Sequence, residues 1–200
     1  VSAEFRQVPT LRGCHVMLQP LTREHVPALA EAASDGRLWE LWYTSVPSPD
    51  RVEDYVQRAL DECAEGRSLP FVVRDASGEV VGSTRYCHID TSVPRVEIGY
   101  TWYAKRVQRT ALNTEAKRLL LAHAFERLGC EAVEFRTHFM NHASRTAIAR
   151  LGARQDGILR NHMRMPDGSL RDTVVFSILA SEWPTVRRHL DFKLQQECVG

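Results

Sequence analysis

Two neighbouring runs hold the residue types best suited to chemistry. They are Glu97-Ile98-Gly99-Tyr100-Thr101-Trp102 and Gln108-Arg109-Thr110-Ala111-Leu112-Asn113-Thr114-Glu115-Ala116-Lys117. Together they read as a strand, a tight polar turn and the start of a helix. The first turn of a helix presents N–H groups without intrahelical partners and a partial positive charge. A diphosphate suits those groups. Arg106 and Arg109 stand beside the helix start and offer charge-assisted contacts to such a ligand. Many helices begin after a polar turn with solvated arginines, so the segment alone does not separate a phosphate site from an ordinary helix start. His138 and His142 are four apart, a zinc spacing on one helix. A strand-to-helix junction falls between them and no third ligand is evident, so no metal is expected.

The elements that must position these residues follow from periodicity and punctuation. A strand is expected at His15–Pro20, a helix at Arg23–Ala33, and a second helix from Ser48-Pro49 to about Glu65, closed by Gly66. Strands at Leu69–Arg74 and Glu79–His88 flank the hairpin turn Asp75-Ala76-Ser77-Gly78. A third strand runs from Arg95 to Tyr103 and a helix from about Asn113 to Leu128, stopped by Gly129. A strand at Ala132–Phe139 and a short helix at Asn141–Leu151 come next. Strands at Gly157–Arg164 and Asp172–Leu179 and a helix at Glu182–Gln196 complete the chain. Crossover helices join some strands and hairpins join others. The expected class is α/β (α+β), with a mixed, mostly antiparallel central sheet and helices on both faces.

In this order and spacing the chain resembles the GNAT superfamily of acetyl-CoA-dependent N-acetyltransferases. Their pyrophosphate loop follows Q/R-x-x-G-x-G/A. Gln108 fits the first position, while Ala111 and Asn113 stand where glycines are usual. The run Asn113-Thr114-Glu115-Ala116-Lys117 is similar to the ribosomal-protein-acetylating, RimJ/RimL-like branch. So are Asn141-His142-Ala143-Ser144 with Leu151-Gly152, Arg171-Asp172 and Ser181-Glu182-Trp183. The resemblance covers residues 10–184 as one domain and leaves 185–200 as a helical tail. It implies acetyl-CoA as co-substrate, held by Trp102, Gln108, Arg109, Thr110, Ala111, Leu112, Asn113, Thr114 and Asn141. Ala111 keeps the close approach of a glycine but restricts φ, and Asn113 tolerates a left-handed φ and can cap the helix.

Acetyl transfer to an amine needs the amine neutral, and amines of pKa about 8 (α-amino) or about 10.4 (lysine) must lose a proton. The resemblance makes Glu97 the candidate base. A half-exposed strand glutamate paired with Arg85 or Arg95 is the alternative. Where many relatives place a thiolate-protonating tyrosine, this chain has Ile148. Ser144 then becomes the group that hydrogen-bonds the departing thiolate, unless its hydroxyl serves the helix backbone. Tyr100 and Tyr103 are further candidates for the acid. Asn141 reads equally as a pantetheine contact or as a helix N-cap. His88 and Asp90, and the aromatic run Trp39, Trp42 and Tyr43, lie where the acceptor pocket is expected.

The bulk properties fit. Net charge is +1, so no basic excess advertises nucleic acid. No apolar run approaches the roughly 18 residues of a membrane span. Five scattered cysteines, at 14, 63, 87, 130 and 198, suggest free thiols and a cytoplasmic protein. The acceptor is expected to be a protein N-terminus or a small amine. A CoA-binding sensor without turnover, or transfer of another acyl group such as succinyl, are the rival readings. The C-terminal strands and tail offer a surface for a homodimer.

Overall fold

The computed structural model describes residues 3–197; Cys198 and the last residues of the expected tail lie outside them. Eight strands form one open sheet: β1 (Leu11–Arg12), β2 (Val16–Pro20), β3 (Leu69–Asp75), β4 (Val80–Asp90), β5 (Arg95–Tyr103), β6 (Ala132–His138), β7 (Arg154–Arg164) and β8 (Leu170–Leu179). Five helices accompany them: α1 (Val26–Ser34), α2 (Val52–Ala64), α3 (Ala111–Ala122), α4 (His142–Ala149) and α5 (Trp183–Glu197). Across the sheet the order is β1-β2-β3-β4-β5-β6-β8-β7. Every pairing is antiparallel except β5 with β6. The mixed, mostly antiparallel sheet is as expected, with the short β1 as an addition.

Adjacent residues of a strand project to opposite faces, and β4 shows what covers each. Arg85 reaches Glu62 of α2, while the Tyr86 hydroxyl donates to the Leu120 carbonyl of α3. Helices therefore cover both faces. Leu18, Phe71, Tyr86, Phe135, Leu120 and Ile178 are fully buried between these layers. Each such side chain is worth about 1.5–3 kcal/mol of burial. The tail helix α5 lies on α3, with Arg118 bonded to Asp191 and the Phe125 and Trp183 rings stacked at 5.5 Å.

Several element boundaries differ from expectation, with β7, β8 and α3 each beginning two or three residues early. Both early helices open with a single 3-10 turn, at Arg23–His25 and Pro49–Arg51, before the α-helix begins. The helix expected to reach Leu128 leaves α geometry after Ala122 and closes with a π turn at His123–Arg127. That wider turn keeps Ala124 and Leu128 in the core. None of the helices among the described residues is long and apolar enough to cross a membrane.

The β5–β6 seam is the feature that matters for function. The two strands pair over only three residues, Arg95↔Ala132, Val96↔Val133 and Glu97↔Glu134. Beyond Glu97 and Glu134 both strands continue without pairing each other, so the sheet opens between them. A bulge on β5 accompanies the opening. Register jumps from Arg85↔Gly99 to Ser83↔Trp102, and Tyr100 takes a left-handed φ of 51°.

Candidate active site

Glu97 is the last β5 residue paired with β6, so its carboxylate stands where the strands part. It is only 6% exposed. The residue between it and the bulge, Gly99, is what gives the carboxylate room. A Cβ there would lie 2.9 Å from Glu97 Oε1 and 3.0 Å from Cys87 Sγ. Glu97 Oε2 is 2.7 Å from His88 Nδ1 and 3.5 Å from Arg136 Nε. The expected ion-pair partners are engaged elsewhere: Arg85 with Glu62 at 2.9 Å and Arg95 with Glu134 at 2.7 Å. The hydrogen bond to Glu97 raises the His88 pKa above its ordinary 6.5 against the opposing effect of burial.

Register gathers further groups on this face. Glu97 pairs with Glu134, so their side chains share a face, and Arg136 and His138 return to it along β6. His138 pairs with Thr173 on β8, and Arg171 lies two residues before Thr173 on the same side. The Trp42 and Tyr43 rings close over His138, at 4.9 and 6.4 Å between centroids. Two of the three aromatic residues of that run thus stand beside His138, and Trp42 remains 53% exposed. Tyr100 is exposed at this mouth with its ring over the Arg85 guanidinium at 4.1 Å. Tyr103 is instead a core residue whose hydroxyl is pushed up by burial. Asp90 caps its own turn by accepting from Ser92 and does not join the site.

The loop before α3 differs in detail from the reading of its sequence. The left-handed residue is Arg109, at φ 61°, and not Asn113, which lies within the first turn of α3. The helix cap is Thr110, whose hydroxyl accepts from Leu112 N at 3.3 Å and donates to the Val107 carbonyl at 2.7 Å. With that one N–H satisfied, the main-chain N–H groups of Thr110, Ala111 and Asn113 are left without intrahelical partners. Gln108 ties the loop to the end of β5 by donating to the Tyr103 carbonyl at 3.0 Å. Arg106 is held by Glu79 and Asp35, so the exposed Arg109 is the arginine here without a protein partner among the described residues. Ala111 and Leu112 are buried under the loop and Thr114 is half-buried. Trp102 packs its indole into the core, edge-on to Tyr55, so the sequence expectation for it rests on its main chain alone.

At the other side of the opening, Asn141 caps α4 by accepting from Ser144 N at 3.0 Å. That is the N-cap reading. The Ser144 hydroxyl makes no backbone bond, and no protein partner engages it among the described residues. Ile148 is buried in the core, consistent with an apolar residue where a tyrosine is common.

Among the described residues metal ligation has one geometric candidate, Cys87, His88 and Glu97, with donor atoms within 4.8 Å of one another. Burial pushes the Cys87 thiol well up, and His88 is already bonded to Glu97. A protonated thiol is a poor ligand, so the trio fits a hydrogen-bonded cluster better than a metal centre. His138 is buried with its Nδ1 accepting from the Met140 main-chain N–H, while His142 is exposed.

Sequence reasoning missed Gly99, Arg136 and His138 as parts of the site. Gly99 carried a readable signal, because Glu-x-Gly on one strand puts the glycine beside the carboxylate. The other two depend on which strands neighbour β5.

The chain is similar to known acetyltransferases in sequence and fold. The acetyltransferase (GNAT) domain family matches residues 15–154. "Putative ribosomal N-acetyltransferase YdaF" of Bacillus subtilis is 31% identical over 106 residues. That match spans 53% of this chain and 57% of that relative's length. A GCN5-related N-acetyltransferase from Brucella melitensis superposes with a TM-score of 0.85 at 31% identity, covering 94% of this chain and 86% of the other. Mycobacterium smegmatis RimJ, in complex with CoA-disulfide, has the same fold, with a TM-score of 0.79 at 23% identity and coverage of 94% and 96%. From its sequence and its split mixed sheet, the chain belongs to the acetyltransferase (GNAT) family.

Proposed function

We propose that this protein transfers the acetyl group of acetyl-CoA to a primary amine, a protein N-terminus or a small molecule, by direct attack in a ternary complex. The observation that carries the reading is the position of Glu97. Its buried carboxylate stands where β5 and β6 part, on the strand that runs into the α3 loop. The α3 loop binds the CoA diphosphate through its free N–H groups and Arg109. The pantetheine arm follows the opening between β5 and β6. Glu97 takes a proton from the amine, directly or through water, as the nitrogen attacks the thioester carbonyl. The C–N bond forms, the C–S bond breaks, and the thiolate leaves with a hydrogen bond from the Ser144 hydroxyl. The four described cysteines are free thiols, in keeping with a cytoplasmic enzyme.

Calorimetric titration with acetyl-CoA, paired with a thiol-release assay on a panel of amines, tests this. Saturable binding and amine-dependent thiol release are expected. Binding without release on any amine supports a CoA-binding sensor, the reading that the apolar Ile148 favours. Absence of binding removes both.

A further inference from the structure

The face around Glu97 holds an unbalanced set of charges. Four guanidinium groups sit on it or border it, and three are matched by carboxylates: Arg85 with Glu62, Arg95 with Glu134 and Arg136 with Glu97. The fourth, Arg171, is half-buried and has no carboxylate partner among the described residues. Its one protein hydrogen bond is from Nε to the Thr173 hydroxyl at 3.0 Å, so both terminal nitrogens are unengaged. Burial lowers its pKa, with partial relief from Glu97 and Tyr100, so it lies within reach of their charges.

His138 adds a second unused donor. It is 4% exposed, and its Nδ1 accepts from the Met140 main-chain N–H at 3.0 Å. An N–H can only donate, so the ring proton must sit on Nε2. Nε2 is buried and has no partner among the described residues. Burial and the Arg171 cation hold this imidazole below its ordinary 6.5, which keeps it neutral. A buried donor left unpaired costs about 1–3 kcal/mol, so such a group is a natural place for a ligand oxygen.

We propose that Arg171 and His138 Nε2–H bind a carboxylate carried by the amine acceptor a few bonds from its reactive nitrogen, with Trp42 and Tyr43 forming the wall beside it. The acceptor is then an amino-carboxylate, either a free amino acid or a chain whose first residue is acidic. This rests on the transferase reading above. Anchoring the carboxylate at Arg171 turns the amine toward Glu97, the charge that Arg171 already senses.

The test is thiol release from acetyl-CoA with two matched acceptor pairs: peptides beginning Asp or Asn, and phenylalanine or phenylalaninamide. Rates are compared as kcat/KM per neutral amine, for the wild type and Arg171→Gln. The wild type should favour the acid in at least one pair by about tenfold or more, and Arg171→Gln should bring that ratio close to one. Preference in the peptide pair alone assigns the carboxylate to an acidic first residue; preference in the other pair alone assigns it to the α-carboxylate. Equal rates on acid and amide in the wild type, or a ratio unchanged in Arg171→Gln, overturn the proposal and leave the transferase reading standing. No release with any amine overturns both.

Discussion

Lys117 shows how far a single residue can sit from its solution behaviour. It is 6% exposed on α3, and its ammonium has one protein partner, the Thr101 hydroxyl at 2.6 Å. Burial lowers its pKa from 10.5 to about 7. The unfolded chain therefore binds this proton more tightly than the folded one. Stability from this group is greatest above pH 10.5, falls as the pH drops toward 7, and is fully lost below it. Lys117→Met should stabilise the protein at pH 7, on the order of 2 kcal/mol, with the gain shrinking toward pH 10. Urea denaturation of both proteins across that range measures it; a gain independent of pH would show the lysine is not desolvated. Glu97 and Ser144 could be named as candidates from the sequence because the motifs that carry the family resemblance contain them. Arg136, His138 and Arg171 were not legible as site residues, because only cross-strand register places them beside Glu97.

At the level of elements, α3 was legible in type but not in its start. The sequence pattern assigned the special backbone conformation to Asn113, but Thr110 caps the helix and Arg109 takes the left-handed turn. Glycine-like sequence positions do not reveal which residue bends the chain. The same helix holds the sheet edge through Glu115. Its buried carboxylate accepts from Cys14 N, His15 N and Val16 N at 2.9, 2.6 and 3.0 Å. Gly13 leaves room for it, since any Cβ there would strike that carboxylate. Sequence gives no hint of a bond spanning about a hundred residues. An acidic group near a helix N-terminus is favourable to the helix but repels a diphosphate. Ala111→Asp should therefore weaken acetyl-CoA binding by about tenfold or more while the far-UV circular dichroism is retained. Calorimetry checks this, and an unchanged affinity would place the diphosphate elsewhere.

The whole molecule is organised around a sheet that is joined for three residues and then divided. The alternation of hairpins and helical connections made a mixed sheet legible, since a parallel pair needs a crossover and a hairpin makes an antiparallel one. The early end of β5–β6 pairing was not legible, because it depends on the bulge at Tyr100 and on how β6 and β8 carry the far half of the sheet. That division puts a buried carboxylate at the head of an open seam, with a helix N-terminus at one side and an aromatic, arginine-bearing face at the other. The account stands on Glu97 removing the acceptor's proton. The most direct measurement is the pH dependence of kcat for Glu97→Gln against wild type, with acetyl-CoA saturating. At neutral pH the variant should be slower by roughly a hundredfold or more, and it should recover toward wild type as rising pH deprotonates the amine without help. Turnover near the wild-type rate at neutral pH would contradict the assignment.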